Sequence, residues 1–120
     1  MSTAANLMAL GLPSALAGMV GCTPATGLTT SVTTKATASQ LTSNVCFFST
    51  VASSGATLLP PADTSPIVAI YNGGANALNV YANGTNTINA LSAGAAFSVT
   101  NAKGAIFIPG QTGWVAILGA

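Results

Sequence analysis

Few side chains in this sequence are suited to acid–base or nucleophilic chemistry. Only Lys35, Asp63 and Lys103 carry charge, and arginine, glutamate and histidine are absent. Two cysteines and two tyrosines complete the reactive set. A Ser–His–Asp triad or a Cys–His pair needs histidine, and glycoside hydrolysis needs two carboxylates. These residue types therefore predict a protein that is not an enzyme and uses no cofactor.

The two cysteines, Cys22 and Cys46, do not indicate a metal site or a disulfide scaffold. Zinc sites draw on several Cys and His ligands, and small oxidised domains usually carry four or more cysteines. Cys46 lies in the apolar run "NVCFF". That setting predicts a buried small hydrophobic residue.

Charge is scarce throughout the chain. Only 2% of the 120 residues are charged and the net charge is +1, whereas soluble domains average about 25%. Nucleic-acid binding needs several Lys or Arg against the phosphates, so we expect no nucleic-acid partner. Half of the residues are hydrophobic, which is the opposite of a disordered chain.

A membrane span is also not expected, because it needs about 18 or more uninterrupted apolar residues. The longest candidate, residues 7–20, is broken by Gly11, Pro13, Ser14 and Gly18. A secretion signal is disfavoured because no cationic residue precedes Lys35. The composition favours a β-rich structural protein docked in an assembly, since low charge removes both desolvation cost and self-repulsion at contacts.

Residues 1–35 are predicted to form an N-terminal arm. The arm starts with a short helical or extended segment and ends with an extended Thr-rich segment. Residues 22–36 fit a linker, a solvated edge strand, or a segment lying along another protein. Two readings of the first 21 residues stay open: a terminal helix packed on its own domain, or an arm docked on a neighbouring subunit. The candidate partner-binding residues are apolar: Leu7, Met8, Leu10, Leu16, Met19 and Val20.

Residues 36–120 are predicted to form an all-β domain, an antiparallel jelly roll or β-sandwich. Seven to nine short apolar runs recur at 8–12-residue spacing, separated by turn signals such as "NGGAN" and "ANGTN". Asn72-Gly73 and Asn83-Gly84 fit type I′ turns; the remaining asparagines fit uncharged surface. The expected core is Ile67, Val68, Ile70, Leu78, Val80, Phe97, Val99, Ile106, Ile108, Val115 and Ile117.

A carbohydrate-binding module is a rival function, because Tyr71, Tyr81 and Trp114 together with asparagines are the groups that such modules expose. The alternative places Trp114 in the core, since "WVAIL" is apolar throughout.

The chain from about residue 36 to its end resembles a domain of tailed-phage structural proteins. The resemblance rests on "TVASSGATLLPPA", on "PIVAIYNGGANALNVY" with the following "INAL" and "AAF", and on the final "GQTGWVAIL", with "LMALGLPSALAG" similar to the helical start of capsid-associated proteins. It implies a capsid decoration, or cement, protein with a jelly-roll body. Such a protein is made in the host bacterial cytoplasm and binds the outer surface of the icosahedral head as a homodimer or homotrimer. It bridges major capsid protein subunits and stabilises the shell. A tail-fibre or receptor-binding module is the alternative that the resemblance leaves open.

Overall fold

The computed structural model describes residues 24–119, which fold into two β-sheets and contain no α-helix. The all-β prediction is confirmed. Two 3-10 turns, Lys35–Thr37 and Ala62–Thr64, interrupt the strands. The strands are β1 Pro24–Thr30, β2 Val45–Val51, β3 Ala56–Leu58, β4 Val68–Asn72, β5 Leu78–Tyr81, β6 Thr87–Ile88, β7 Phe97–Val99, β8 Lys103–Pro109 and β9 Gly113–Leu118.

The large sheet has the order β1-β2-β4-β8-β9-β6, and the small sheet has the order β3-β5-β7. The prediction of purely antiparallel sheets is wrong. Pairs β1–β2, β2–β4, β3–β5 and β6–β9 are parallel, and pairs β4–β8, β5–β7 and β8–β9 are antiparallel. From β2 to β8 the chain alternates between the two sheets. The first returns, from β2 to β4 and from β3 to β5, run in the previous direction, which is the stacking of a solenoid rather than of a jelly roll. Strands β7 and β8 then run antiparallel to their neighbours β5 and β4.

One hydrophobic core lies between the sheets. Val68 and Ile70 of the large sheet are buried with Leu78, Val80 and Val99 of the small sheet, as predicted. The partly buried ring of Phe97 packs edge-to-face on Phe107, with ring centroids 5.6 Å apart. An edge-to-face pair adds about 1 kcal/mol to the burial of the rings themselves.

The core prediction is wrong in β8 and β9, where it chose the opposite face of each strand. Ile106, Ile108, Val115 and Ile117 are 38–55% exposed. Ala105, Phe107 and Trp114 point inward instead and are almost fully buried. Both strands are apolar at nearly every position, so alternation cannot identify the inner face, and the two bulky aromatic rings take it. Ile67, directly before β4, is also 52% exposed.

Asn76, Asn86 and Asn89 hydrogen-bond the protein's own backbone, while Asn76 and Asn89 are also exposed at the surface, as predicted. Asn76 Nδ2 donates to the Val51 carbonyl at 2.9 Å. Asn86 Oδ1 accepts from Ala62 N at 3.1 Å. Asn89 bonds both backbone groups of Ala116, and its φ of 52° lies in the left-handed region. Each bond joins a turn to a strand or loop that is distant in sequence.

The predicted type I′ turns are also wrong. Asn72 is the last residue of β4 and is fully buried. Of the four turn residues only Gly84 has a positive φ, 55°, whereas a type I′ turn needs positive φ at both central positions. Gly84 is the second residue of a turn closed by a hydrogen bond from Asn86 N to the Asn83 carbonyl.

The body of the protein begins earlier than predicted, because residues 24–30 form edge strand β1 of the large sheet. The edge-strand interpretation of this segment is confirmed. Lys35 is also fixed on the body, because its Nζ donates to the carbonyls of Gly84 at 2.8 Å and Ala93 at 3.1 Å. The candidate arm residues Leu7, Met8, Leu10, Leu16, Met19 and Val20 lie outside the described residues.

Candidate docking surface

The solvent side of the large sheet is apolar. Inward and outward side chains alternate along each strand, and burial identifies the outward set in the four central strands. We call this surface the outer face. Its members are Val45, Phe47, Ile67, Ala69, Tyr71, Gly104, Ile106, Ile108, Val115, Ile117 and Gly119.

The strand register arranges the outer face in three rows across the sheet. The middle row runs Val45, Ala69, Ile106, Ile117. On one side lies a row with Phe47, Tyr71 and Gly104, extended by Gly119, whose N–H donates to the Gly104 carbonyl at 2.7 Å. On the other side Ile108 pairs with Val115, and Ile67 precedes β4 at the same end.

The row that contains the glycines is uneven in height. The rings of Phe47 and Tyr71 stand together, with centroids 6.2 Å apart and an interplanar angle of 49°. Beside them, Gly104 and Gly119 carry no side chains and leave a shallow depression of about 380 Å³. Ile106 and Ile117 form part of its wall. An apolar side chain of a partner would fit this depression.

None of the three charged residues belongs to the outer face. Five β-branched side chains and two aromatic rings there are each 38–55% exposed. Contiguous apolar patches above a few hundred Å² are rarely exposed on monomers and mark interaction sites. Covering them stabilises by roughly 25 cal/mol per Å² of apolar area removed from water. These properties make the outer face the candidate docking surface of the described residues.

A second concavity, of about 270 Å³, lies between β1 and residues 39–43. Leu28, Leu41 and Phe48 line it, together with serine and threonine side chains. Hydroxyl groups without a histidine or carboxylate beside them have no activating base. No histidine or carboxylate is among the residues that line this concavity.

The reactive groups of the described chain are buried or dispersed. Cys46 is 1% exposed, and burial raises the pKa of its thiol to about 11, which makes it inert at neutral pH. Across residues 24–119, no three His, Cys, Asp or Glu side chains come together as a metal site requires. In the same range no helix has the length and apolar character needed to span a bilayer.

Sequence reasoning assigned five of the eleven outer-face residues to the core: Ile67, Ile106, Ile108, Val115 and Ile117. Its signal was nevertheless present, because "PIVAIY", "AIFIP" and "WVAIL" are apolar at both inward and outward positions. Strands of this kind are covered on both faces, and this chain's small sheet covers only one. Comparisons with family models, with curated proteins and with solved structures found no match.

Proposed function

We propose that this protein is a capsid decoration, or cement, protein of a tailed phage. It binds the outer surface of the icosahedral head, bridges major capsid protein subunits and stabilises the shell. The observation that carries the proposal is the outer face: a sheet that is apolar on both sides needs a protein partner on its outer side. The phage assignment itself comes from the sequence resemblance described above.

The near-absence of charge supports a role in a permanent assembly. Charged groups that become buried at a contact must be paired or they destabilise it. Lys35 already has two carbonyl partners within its own chain, and Asp63 lies in an exposed 3-10 turn. Contacts of this protein are therefore made by apolar burial and neutral hydrogen bonds.

Edge strand β1 supports a second contact, to the capsid protein. It contains three threonines, Thr26, Thr29 and Thr30, and no lysine. Lysine on an edge strand is a common guard against pairing with another chain. The register with β2 shifts between Ala25 and Leu28, where Gly27 has a φ of 68°, and again between Leu28 and Thr29. The part of this edge that stays in register after both shifts, and that a partner strand could extend, is Thr29–Thr30.

A tail-fibre or carbohydrate-binding module is the weaker alternative. Trp114, the ring best suited to stack on a sugar, is 2% exposed. The side-chain amides of Asn72, Asn76, Asn86 and Asn89 bond the protein's own backbone. Trp114 and these amides are thus used to hold the fold together, and Tyr71, 41% exposed, is the aromatic candidate that remains at the surface.

Mass spectrometry of gradient-purified particles from the phage that encodes this chain tests the proposal. We expect the chain in a fixed ratio to the major capsid protein, and we expect heads lacking it to release DNA at lower temperature. Recovery of the chain only in the free-protein fraction, or only with isolated tails, would contradict the proposal.

A further inference from the structure

Bulky and small residues face each other across the β4–β8 ladder of the outer face. In the row that contains the glycines, β2 and β4 present Phe47 and Tyr71, whereas β8 and β9 present Gly104 and Gly119. In the middle row the order is reversed, because the small Ala69 lies on β4 and is directly paired with the bulky Ile106 on β8.

We propose that a second copy of this chain covers the outer face, with a two-fold axis parallel to the strands and centred on the β4–β8 ladder. This axis exchanges β4 with β8 and β2 with β9. Tyr71 then lies over Gly104 of the second copy, Phe47 over its Gly119, and Ile106 over its Ala69. Each bulky side chain of these pairs enters the space left by a small residue.

The geometry matches ordinary sheet-on-sheet packing, in which two sheets lie about 10 Å apart with interdigitated side chains. A two-fold contact brings each group close to its own copy, so a charged face would repel itself. The outer face contains no charged residue, and this repulsion is absent. The same axis places Val45 over Ile117 of the second copy and Ile67 over its Ile108, which are apolar contacts. A face that is neutral, apolar and complementary in size to itself at three pairs fits a second copy better than it fits a surface of unrelated shape.

The size of the outer face is sufficient for a specific dimer. Four strands about 4.8 Å apart and three rows about 6.6 Å apart give a footprint of roughly 20 Å by 20 Å. Two such faces bury on the order of 1,000 Å², near the lower limit for a specific interface. The dimer inference rests on the proposed function, because it names a second copy of the chain as the partner of the outer face. The decorating unit is then a dimer, which leaves edge strand β1 of each copy for the capsid.

Gly104 allows a direct test, because its Cβ position is open within one copy. A Cβ there would meet the Ile70 carbonyl oxygen at 3.6 Å and the Tyr71 ring at 3.9 Å, which are ordinary contacts. Gly104→Leu therefore folds but fills the space that receives Tyr71 of the second copy. Gly94→Leu is the matched control, since a Cβ at Gly94 meets nothing within 4 Å and the residue lies outside the outer face.

Sedimentation velocity of the full chain over a concentration series is the measurement, with circular dichroism to confirm folding. We expect a dimer for the unchanged chain and for the Gly94→Leu control. Gly104→Leu should weaken association about tenfold or more, equivalent to 1.4 kcal/mol. Adding Tyr71→Ala to Gly104→Leu removes the opposing ring and should recover much of the loss.

Three results would overturn the inference. The unchanged chain could stay monomeric at every concentration, or the dimer could tolerate Gly104→Leu as well as it tolerates Gly94→Leu. The third result is a chain that dimerises only after removal of residues 1–21. The last would show that this segment covers the face. A dimer that does not bind shells would contradict the proposed function alone, and monomers bound to shells through the outer face would contradict the dimer alone.

Discussion

Asn72 satisfies three backbone groups from inside the protein. Its Nδ2 donates to the carbonyls of Asn76 and Val99, both at 2.8 Å, and its Oδ1 accepts from Gly74 N at 2.9 Å. Asn72 thereby joins the end of β4 to the end of β7 across the two sheets. From sequence alone, the Asn72-Gly73 pair indicates a solvated turn equally well. Only the residues that pack against Asn72, which are distant in sequence, show that it is a buried hydrogen-bonding residue instead.

Asn72→Ala should lower the free energy of unfolding by about 3 kcal/mol, because several backbone groups lose their partner in a buried site. Asn79→Ala is the control. In the part of the chain that the structure describes, no side-chain hydrogen bond is made by Asn79, so its substitution should cost less than about 1 kcal/mol. Urea titration measures both variants, and equal losses would contradict the role of Asn72.

Cys46 predicts a pH dependence of stability. Burial holds the pKa of its thiol at about 11, against an ordinary value of 9.0. The unfolded chain therefore loses this proton first as the pH rises. The contribution of the neutral thiol is complete below pH 9 and declines between about pH 9 and about pH 11.

The test compares the unchanged residue with Cys46→Ala, both in a Cys22→Ser background. Thermal unfolding from pH 8 upward should show a steeper decline for the chain that keeps Cys46, because the alanine variant has no thiol to ionise. Parallel curves for the two proteins would contradict the assignment.

At the scale of elements, the chain alternates between sheets and its coils stack closely. Parallel pair β6–β9 shows how closely, because a Cβ at Gly113 would lie 2.6 Å from Thr87 Oγ1 and 2.7 Å from the Thr87 carbonyl oxygen. Distances below 3.0 Å force a displacement of the backbone. Only glycine allows β6 to pair with β9 at this point.

Gly113→Ala should therefore destabilise the protein by about 1–3 kcal/mol, the usual cost of overpacking. Gly94→Ala, outside the outer face and with open space at its Cβ, is the matched control and should be nearly neutral for folding. Differential scanning calorimetry measures the thermal stability of the two variants. A Gly113→Ala protein that is as stable as the control would show that β6 adjusts without cost.

The positions of most strands from β2 onward were predictable from short apolar runs and the Gly, Pro and Asn residues between them. Their pairing was not, since a parallel coil and an antiparallel hairpin produce the same local pattern. The inner face of β4 was predictable because Val68 and Ile70 alternate with smaller Ala69. In β8 the choice between Ile106 and Phe107 depends on the opposite sheet, where Phe97 receives the ring, and the error there concealed the outer face.

At the scale of the whole molecule, 2% charged residues and an apolar outer face belong together. A protein that works alone in water gains from charge, which keeps copies apart. This chain has little charge and instead has surface suited to burial against protein.

Occupancy of undecorated phage heads by the purified chain, measured at low and high NaCl, tests the central claim most directly. Screening acts on charges, and contacts made by apolar burial keep their strength in salt. We predict saturable binding, in fixed ratio to the major capsid protein, that changes little between the two conditions. Absence of binding, or release of most copies by salt alone, would contradict the account.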